Sequence, residues 1–186
     1  MPILDQSLPD YSAALINKAK KIKLLICDVD GVLSDGKIYF GNQDEEYKSF
    51  NVKDGLGITQ LLNNGIQVAI ITGRKSKIVE RRATELSIRF VFQGKSDKQA
   101  AYLEAIDQLK IEKHQVAHIG DDLPDLPLMK QSGMGISVAD GHPFVKQHAD
   151  WITDNNGGNG AVREVCDLLL SAQQKLAKIH SGYLKI

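Results

Sequence analysis

The sequence has few of the features that mark secreted, membrane-spanning or nucleic-acid-binding proteins. It contains two cysteines, Cys27 and Cys166, too few for a disulfide framework and set in apolar segments where thiols commonly pack. Lysine plus arginine and aspartate plus glutamate both number 23, so no net charge attracts nucleic acid or an anionic membrane. The apolar runs are far shorter than the roughly 20 residues of a membrane span. We therefore expect a cytoplasmic protein with no nucleic-acid and no membrane partner.

Short apolar runs rich in β-branched residues alternate with helical patterns from one end of the 186-residue chain to the other. The runs of strand length are 24–27, 66–71, 89–92, 116–119, 135–138 and 151–153. Strands separated by helices favour a parallel sheet covered on both faces and joined by right-handed crossovers. The sequence thus predicts an α/β fold, a doubly wound parallel sheet of Rossmann type with three layers, formed by residues 1–186 as one domain.

The helical patterns carry recognisable start and stop signals. A helix at 55–64 ends before Gly65, one at 97–109 opens with a capping box of Ser96 and Gln99, and one at 123–131 stops before Gly133. A long final helix is expected at about 161–179, followed by a tail at about 180–186. Short strand-like runs at 37–40 and 47–50 flank a polar turn and predict a β-hairpin, about 37–50, that projects after the first strand.

Chemically active residues follow the predicted strands, where doubly wound folds carry their sites. The first strand is followed by two acids and the second by a hydroxyl and a guanidinium that suit phosphate binding at a helix N-terminus. A lysine opens a later helix, and the fourth strand is followed by three more acids. The residues are Asp28 and Asp30, then Thr72, Gly73 and Arg74, then Lys98, then Asp121, Asp122 and Asp125.

This cluster of carboxylates needs a cation. Two carboxylates about 4 Å apart repel by about 4 kcal/mol at an effective dielectric constant near 20. Because the available ligands are oxygen atoms, without accompanying histidine or cysteine, Mg²⁺ is favoured over Zn²⁺. Each motif alone has a structural interpretation as a turn, a helix cap or a solvated lysine. Their joint occurrence, in this order and each at a strand end or helix start, indicates a functional site.

The order of Asp28-x-Asp30-Gly, Thr72-Gly-Arg, Lys98 and Gly-Asp121-Asp-x-x-Asp125 resembles the four motifs of the haloacid dehalogenase superfamily. The resemblance implies a phosphohydrolase in which Asp28 attacks phosphorus and Asp30 acts as acid and then base. Thr72 and Lys98 would fix the phosphoryl group. Mg²⁺ would be bound by the Asp28 carboxylate, the Asp30 backbone carbonyl and Asp121, with Asp122 or Asp125 in support.

Five further stretches, 28–36, 48–57, 71–75, 138–143 and 157–164, resemble one branch of this superfamily: small, capless, tetrameric phosphatases of a phosphorylated acidic sugar used in lipopolysaccharide synthesis. The intervals from Asp28 to Thr72 and from Thr72 to Lys98 leave no room for a cap domain. An open site would admit water, so the hairpin and tail of neighbouring subunits are expected to cover it in a homotetramer. The alternative is a hairpin folded on its own domain.

The resemblance also assigns residues to the sugar acid. Asp30, Gly73, Arg74 and Lys98 would contact the substrate, together with a helix and loop set of Asn51, Val52, Lys53, Asp54, Gly55 and Arg82. Lys53 and Asn159 replace the arginine and the basic residue that are usual in the branch, so another acidic sugar, such as the 9-phosphate of an acylated neuraminic acid, or a broad range of sugar phosphates stays open as substrate.

A signalling receiver domain is the alternative from another class, since it also forms an aspartyl-phosphate on a doubly wound sheet. Its lysine comes near the end of the motif order, however, whereas Lys98 precedes the second acidic cluster here. A catalytically inactive scaffold is disfavoured because all the expected reactive residues are present.

Overall fold

A six-stranded parallel sheet forms the centre of the protein. The computed structural model describes residues 11–43, 45–95 and 97–184. The strands are β1 (Leu24–Cys27), β2 (Tyr39–Phe40), β3 (Glu46–Tyr47), β4 (Gln67–Ile71), β5 (Phe90–Phe92), β6 (Val116–Gly120), β7 (Met134–Ser137) and β8 (Trp151–Ile152). The sheet has the order β5-β4-β1-β6-β7-β8, and β2 pairs with β3 as a separate antiparallel hairpin.

Helices connect the strands and cover the sheet. They are α1 (Ala13–Ala19), α2 (Val52–Asn63), α3 (Lys77–Glu85), α4 (Lys98–Leu109), α5 (Leu126–Gln131), α6 (Pro143–Lys146), α7 (Ala161–Ala172) and α8 (Leu176–Tyr183). β1 lies between β4 and β6, and all pairs within the large sheet are parallel. The carboxyl ends of β1, β4 and β6 therefore meet at one edge, which is where the functional motifs begin.

Successive residues of each strand point to opposite faces of the sheet, and each face has its own helices. Leu25 and Cys27 of β1 belong to the larger apolar cluster, with residues of α1, α2, α3 and α7. Leu24 and Ile26 belong to a second cluster with residues of α4 and α5. The result is the three-layer arrangement that the alternation of strands and helices predicts, so the predicted fold class is confirmed.

The two cysteines are free and lie in the core. Burial raises the pKa of both thiols well above the ordinary value, which keeps them in the uncharged form. They thus pack as small apolar side chains, and neither has the lowered pKa of a reactive thiol.

The prediction of one long final helix is wrong. The chain breaks after α7 at Gln174, whose φ of 58° is left-handed, and resumes as α8. The break buries Leu176 against the core. Lys175 fixes the turn by donating to the Asn64 carbonyl, with Nζ and the oxygen 2.8 Å apart. Neither glycine nor proline marks this turn in the sequence. Helix α8 continues through Tyr183, so the first residues of the predicted tail, 180–183, are helical.

Other predicted boundaries shift by a few residues. The hairpin strands are only two residues long each, and α2 begins at Val52 instead of residue 55. Helix α4 has Asp97 as its N-cap, with Gln99 N donating to its carboxylate at 2.9 Å, while Ser96 lies outside the described residues. Residues 123–131 form a short 3₁₀ turn followed by α5. Thr72–Arg74 precedes α3, which begins only at Lys77, so it does not sit at a helix N-terminus.

No helix in the described part of the chain is long and apolar enough to cross a membrane.

The loop at residues 157–160 packs directly on the loop that follows β1. A Cβ atom added at Gly157 would lie 1.7 Å from the Gly31 carbonyl oxygen, and Gly158 N donates to the Val32 carbonyl at 2.8 Å.

We expect Gly157→Ala to lower the free energy of unfolding by about 2 kcal/mol or more, because the backbone must move to accommodate the methyl group. Urea unfolding measures this, with Gly65→Ala as a comparison. Gly65 has open space but a positive φ of 81°, so its replacement reports backbone strain alone. Equal losses for the two variants would contradict the argument from close packing.

Candidate active site

The loop after β1 carries the first acids to the edge of the sheet. Asp28 N donates to the Ile119 carbonyl of β6 at 3.2 Å, and its side chain is almost wholly buried. The chain then turns at Gly31, whose φ is 91°, and Ser34 N closes the turn on the Val29 carbonyl at 2.9 Å. A Cβ atom at Gly31 would lie 2.2 Å from Asp121 Oδ2. Glycine therefore permits the close approach of this loop to the acidic loop after β6.

Lys98 joins two carboxylates beneath the edge of the sheet. Its Nζ lies 3.1 Å from Asp28 Oδ2 and 2.8 Å from Asp125 Oδ1. Asp125 Oδ1 also lies 3.1 Å from His118 Nε2, while its Oδ2 accepts the backbone N–H of Asp121 at 3.1 Å. Asp125 thus holds the lysine of α4 and the loop after β6 in one network.

Two carboxylate oxygens in this cluster have no partner. Asp28 Oδ1 and Asp121 Oδ1 are buried without a hydrogen bond to any residue that the structure describes. Oxygen atoms of Asp28, Asp121 and Asp125 lie within 4.8 Å of one another. Buried unpaired carboxylate oxygens are costly, and a hard divalent cation would satisfy them. Because the Asp125 oxygens already accept four donors, Asp28 and Asp121 fit a cation better than Asp125 does.

The electrostatics agree with a site for a cation. Burial, and then the neighbouring charge of Asp125, raises the pKa of Asp28 to about 6. Burial, followed by the charges of Asp125 and Asp28, raises the pKa of Asp121 to about 7. Burial also opposes ionisation of Asp125, but hydrogen bonding by His118 and the nearby Lys98 outweigh it and lower that pKa to about 2. Burial likewise opposes the charge of Lys98, whose pKa is nevertheless raised by Asp28 and Asp125.

An open cleft of about 310 Å³ lies above this cluster. Asp28, Asp121 and Lys98 form its floor, and Thr72, which is buried, lies at the end of β4. The predicted residues that line it are Asp28, Asp30, Thr72, Gly73, Arg74, Lys98, Asp121, Asp122 and Asp125. Its lining combines carboxylates with the cationic side chains of Arg74, Lys95 and Lys98, which makes the cleft suitable for a phosphate that shares a cation with the protein.

Asp30 is held by three groups beside the cleft. Lys48 Nζ forms an ion pair with Asp30 Oδ1, although the lysine side chain is buried and comes from the end of the hairpin. Arg74 Nε lies 3.9 Å from Asp30 Oδ2, and Ser34 Oγ donates to Asp30 Oδ1 at 3.5 Å. Asp30 therefore has a fixed position two residues after Asp28, the candidate nucleophile, and takes no part in the Lys98 network.

Comparison with known proteins agrees with the geometry. A model of the haloacid dehalogenase-like hydrolases matches residues 77–165. The chain is 56% identical over 162 residues to 3-deoxy-D-manno-octulosonate 8-phosphate (KDO 8-phosphate) phosphatase KdsC of Yersinia pestis, covering 87% of each chain. It is 54% identical to the Escherichia coli K12 protein of that name, over 89% of this chain and 88% of that one. The chain belongs to the KDO 8-phosphate phosphatase family. As a member, it is a phosphoric monoester hydrolase, which rules out the receiver alternative.

Solved structures of relatives have the same fold as this phosphatase. The Y. pestis phosphatase has a TM-score of 0.89 at 54% identity, with 89% of this chain and 90% of that chain covered. A Moraxella catarrhalis phosphatase in complex with magnesium, phosphate and KDO has a TM-score of 0.91 at 46% identity, covering 93% and 99%. A complex of that composition combines the ion and the anion for which the cleft is suited.

The rest of the predicted substrate set lies elsewhere in the phosphatase chain. Asn51 is the N-cap of α2, accepting from Lys53 N at 2.8 Å, and Val52 and Lys53 are exposed on its first turn. Gly55 and Arg82 line a small separate cavity together with Asn51 and Asp54. Within a single chain, the structure does not bring these residues to the cleft.

Asp54 and Arg82 of this set have structural contacts that need no ligand. The Asp54 carboxylate is buried and accepts from Arg163 N at 2.7 Å, so it holds the start of α7. Burial nonetheless raises the pKa of Asp54. Arg82 Nη2 donates to the Asn51 carbonyl at 3.3 Å, and its guanidinium lies 5.8 Å from the centre of the Phe50 ring. Both contacts account for the positions of these side chains.

Sequence reasoning missed three residues of the phosphatase site. Lys48 had no assigned role because it lies across the hairpin from Asp30 in the sequence. The position of the hairpin directly after β1 could have indicated that the residues at its end return to the site. Lys95 lines the cleft and follows β5 by three residues. His118 lies within β6, where an apolar run gave no sign that its imidazole reaches Asp125.

Proposed function

We propose that this phosphatase hydrolyses KDO 8-phosphate to KDO and phosphate, with Mg²⁺ as cofactor, in lipopolysaccharide synthesis. The observation that carries the proposal is the unpartnered Asp28 oxygen beside Lys98 and Asp121, at the floor of an open cleft. It is the arrangement that a phosphoryl group and a shared cation would complete. The relative crystallised with magnesium, phosphate and KDO supports the choice of substrate and cofactor.

In the first step, an Asp28 carboxylate oxygen attacks phosphorus in line with the leaving sugar oxygen. The new oxygen–phosphorus bond forms an aspartyl-phosphate as the bond to the sugar breaks, and Asp30 donates its proton to the departing oxygen. Thr72 and Lys98 hold the remaining phosphoryl oxygens, because a hydroxyl and an ammonium line that wall of the cleft.

In the second step, Asp30 returns as a base. It takes a proton from a water molecule, whose oxygen attacks phosphorus and releases inorganic phosphate, leaving Asp28 as a carboxylate. Lys48 Nζ donates to Asp30 Oδ1 and keeps that side chain at one position for both transfers: the contact is an ion pair when Asp30 is a carboxylate and a hydrogen bond to the carbonyl oxygen when Asp30 carries the proton. Splitting the reaction in two replaces one difficult displacement by two easier ones.

Asp28 and Asp121 would hold Mg²⁺ through their carboxylates, with the Asp30 backbone carbonyl as a further ligand. Bound there, Mg²⁺ neutralises charge on both carboxylates and on the phosphoryl group. Asp125 supports the site by fixing Lys98 and the N–H groups of Asp121 and Asp122. Asp122 caps the 3₁₀ turn after β6, with Leu123 N donating to it at 2.8 Å.

We further propose that the protein assembles as a homotetramer through the hairpin. Three aromatic side chains of β2 and β3 are exposed: Tyr39 by 53%, Phe40 by 70% and Tyr47 by 58%. Such a patch on two very short strands is costly in water and suits burial against other copies. Assembly would also bring the substrate set of Asn51–Gly55 and Arg82, which lies outside the cleft in one chain, next to the cleft of a neighbour.

The tetramer proposal predicts that Phe40→Ser lowers the molecular mass in solution. Light scattering after size exclusion should give four chains of 20.5 kDa for the parent and a smaller species for the variant at micromolar concentration. Leu103→Ser, an exposed apolar residue on α4, is the matched control and should remain tetrameric. A monomeric parent protein would contradict the proposal.

Phosphate release from a substrate panel tests the proposed function. KDO 8-phosphate should have a kcat/KM at least tenfold above those of N-acetylneuraminate 9-phosphate and of common hexose phosphates, and EDTA should abolish release until Mg²⁺ is restored. A kcat/KM no better than that of hexose phosphates would refute the substrate assignment. Full activity after removal of divalent ions would refute the cofactor assignment.

A further inference from the structure

His118 is a fully buried polar residue of β6 that the proposed reaction does not use directly. Its neighbours Ala117 and Ile119 face the larger apolar cluster, whereas Val116 faces the cluster that contains α4 and α5. Alternation along the strand places His118 on the same face as Val116, beneath the α4 residue Lys98. Among the strands of the described residues, cysteine and histidine occur in β1 and β6, and His118 is the strand residue whose side chain contacts Asp125.

The imidazole shares one oxygen atom with the lysine of the site. Asp125 Oδ1 lies 3.1 Å from His118 Nε2 and 2.8 Å from Lys98 Nζ. Asp125 Oδ2 is already occupied by backbone N–H groups of the loop after β6. Lys98 Nζ reaches Asp28 Oδ2 as well, at 3.1 Å. The four side chains thus form a continuous chain of contacts from the core to the proposed nucleophile.

The geometry determines which imidazole nitrogen carries the proton. A carboxylate oxygen only accepts hydrogen bonds, so Nε2 must donate to Asp125. Nδ1 is buried and has no partner within the described residues. The contact with Asp125 therefore requires a proton on Nε2.

We propose that His118 is a positioning residue for phosphoryl transfer: by donating to Asp125 Oδ1, it keeps Lys98 shared between Asp125 and Asp28. This inference rests on the proposed function, in which Lys98 holds the phosphoryl group that Asp28 attacks. His118 itself does not touch the substrate.

The physical argument is a competition for one acceptor. Because Oδ1 accepts from both His118 and Lys98, the Asp125 carboxylate needs no closer contact with the Lys98 ammonium. The ammonium can therefore stay between Asp125 and Asp28. When the imidazole is removed, Asp125 loses a buried hydrogen bond and Lys98 becomes its only side-chain partner. The ammonium then moves toward Asp125 and away from Asp28 and the phosphoryl oxygens. Displacements of about 1 Å at a reacting group can cost about a hundredfold in rate.

Two substitutions separate the hydrogen bond from the volume of the side chain. His118→Gln keeps an N–H donor at nearly the position of Nε2, whereas His118→Leu fills the space without a donor. Val116→Ala is the matched control, since it disturbs the same face of the same strand without contacting Asp125. Unfolding by urea establishes that each variant is folded before its activity is compared.

Steady-state turnover of KDO 8-phosphate, and competitive inhibition by inorganic phosphate in the presence of Mg²⁺, provide the readouts. We expect His118→Leu to lower kcat/KM by tenfold to a hundredfold and to weaken phosphate inhibition, and His118→Gln to restore both to within threefold of the parent. Val116→Ala should lose stability and retain both. Phosphate binding measured by calorimetry in Lys98→Met should be unaffected by adding His118→Leu, because the lysine through which His118 acts is absent.

Parental kcat/KM and phosphate inhibition in a folded His118→Leu variant would overturn the inference. So would equal losses in His118→Gln and His118→Leu, or a loss of phosphate affinity that persists in the Lys98→Met background. These results are distinct from failure of the proposed function, which would show as a parent protein without activity toward KDO 8-phosphate. In that case the calorimetric comparison of phosphate binding still decides the role of His118.

Discussion

Replacing Asp28 with asparagine is expected to abolish turnover while leaving the protein folded. The amide keeps the shape of the side chain but offers no anionic oxygen for attack on phosphorus, so kcat should fall by at least about a thousandfold. Because Lys98 retains Asp125 as a partner 2.8 Å away, the network beneath the cleft should persist. Phosphate release under saturating substrate and Mg²⁺ measures the loss, and the far-ultraviolet circular dichroism spectrum should be unchanged.

The same variant should be at least as stable as the parent in the absence of divalent ions. Burial raises the pKa of Asp28 to about 6, so above that pH the folded protein holds a charge that the unfolded chain carries at lower cost. Asparagine removes that charge. Loss of activity together with equal or greater stability identifies a residue retained for chemistry at the expense of the fold.

Asp107→Asn is the matched control for this experiment. It makes the same chemical change on the exposed face of α4, far along the helix from Lys98, and should leave activity and stability near the parental values. Activity of Asp28→Asn above a tenth of the parental value would contradict the assignment of the nucleophile. A variant that loses its secondary structure would contradict the expected persistence of the network.

The sequence was sufficient to predict the part of the site that follows from sheet topology. Asp28, Thr72 and Asp121 each follow a strand of the sheet, and parallel strands bring their carboxyl ends to one edge whatever the details of the loops. Lys98 could be added because it begins a helix that starts at the same edge. For these residues, local patterns and one topological rule determine the position.

The remaining contacts depend on packing that no local pattern encodes. Lys48 reaches Asp30 from a hairpin whose strands are only two residues long, and His118 reaches Asp125 from inside an apolar run. The substrate set at Asn51–Gly55 forms the N-cap and first turn of α2 instead of a loop, and Asp54 is used by α7. Neither glycine nor proline stands at the break near Gln174. The helical pattern of apolar residues in 161–179 therefore runs through the break without a stop signal.

Without divalent ions, the protein is expected to lose stability as the pH rises from about 4 to about 7. Burial raises the pKa of Asp28 to about 6 and that of Asp121 to about 7, from ordinary values near 3.8. An acid with a raised pKa in the folded state favours folding below its unfolded pKa and opposes it once ionised. A rise of the Asp28 pKa from 3.8 to about 6 corresponds to about 3 kcal/mol for that residue alone, and repulsion between the two carboxylates prevents simple addition.

The lowered pKa of Asp125 places its contribution to the pH dependence of stability at a lower pH than that of Asp28 and Asp121. Its pKa is lowered to about 2, so its contribution to stability is complete above about pH 4 and is lost only as the pH falls toward 2. Between pH 4 and 7 the slope of stability therefore belongs to the acids whose pKa is raised by burial: Asp28 and Asp121 in the cleft, and Asp54 outside it. Urea unfolding in EDTA at pH 5 and pH 8 measures it, and the midpoint should be lower at pH 8.

Mg²⁺ should reverse the loss at pH 8 and have little effect at pH 5, because it binds the ionised carboxylates and competes with their protonation. At a concentration one hundred times its dissociation constant, it would stabilise the folded state by about 2.7 kcal/mol. The double variant Asp28→Asn, Asp121→Asn should lack the response to Mg²⁺ and keep only the part of the pH slope that Asp54 contributes. If the parent unfolds at the same urea concentration at both pH values, with or without Mg²⁺, these two buried carboxylates do not form the cation site, since their unpartnered oxygens would then cost the fold nothing.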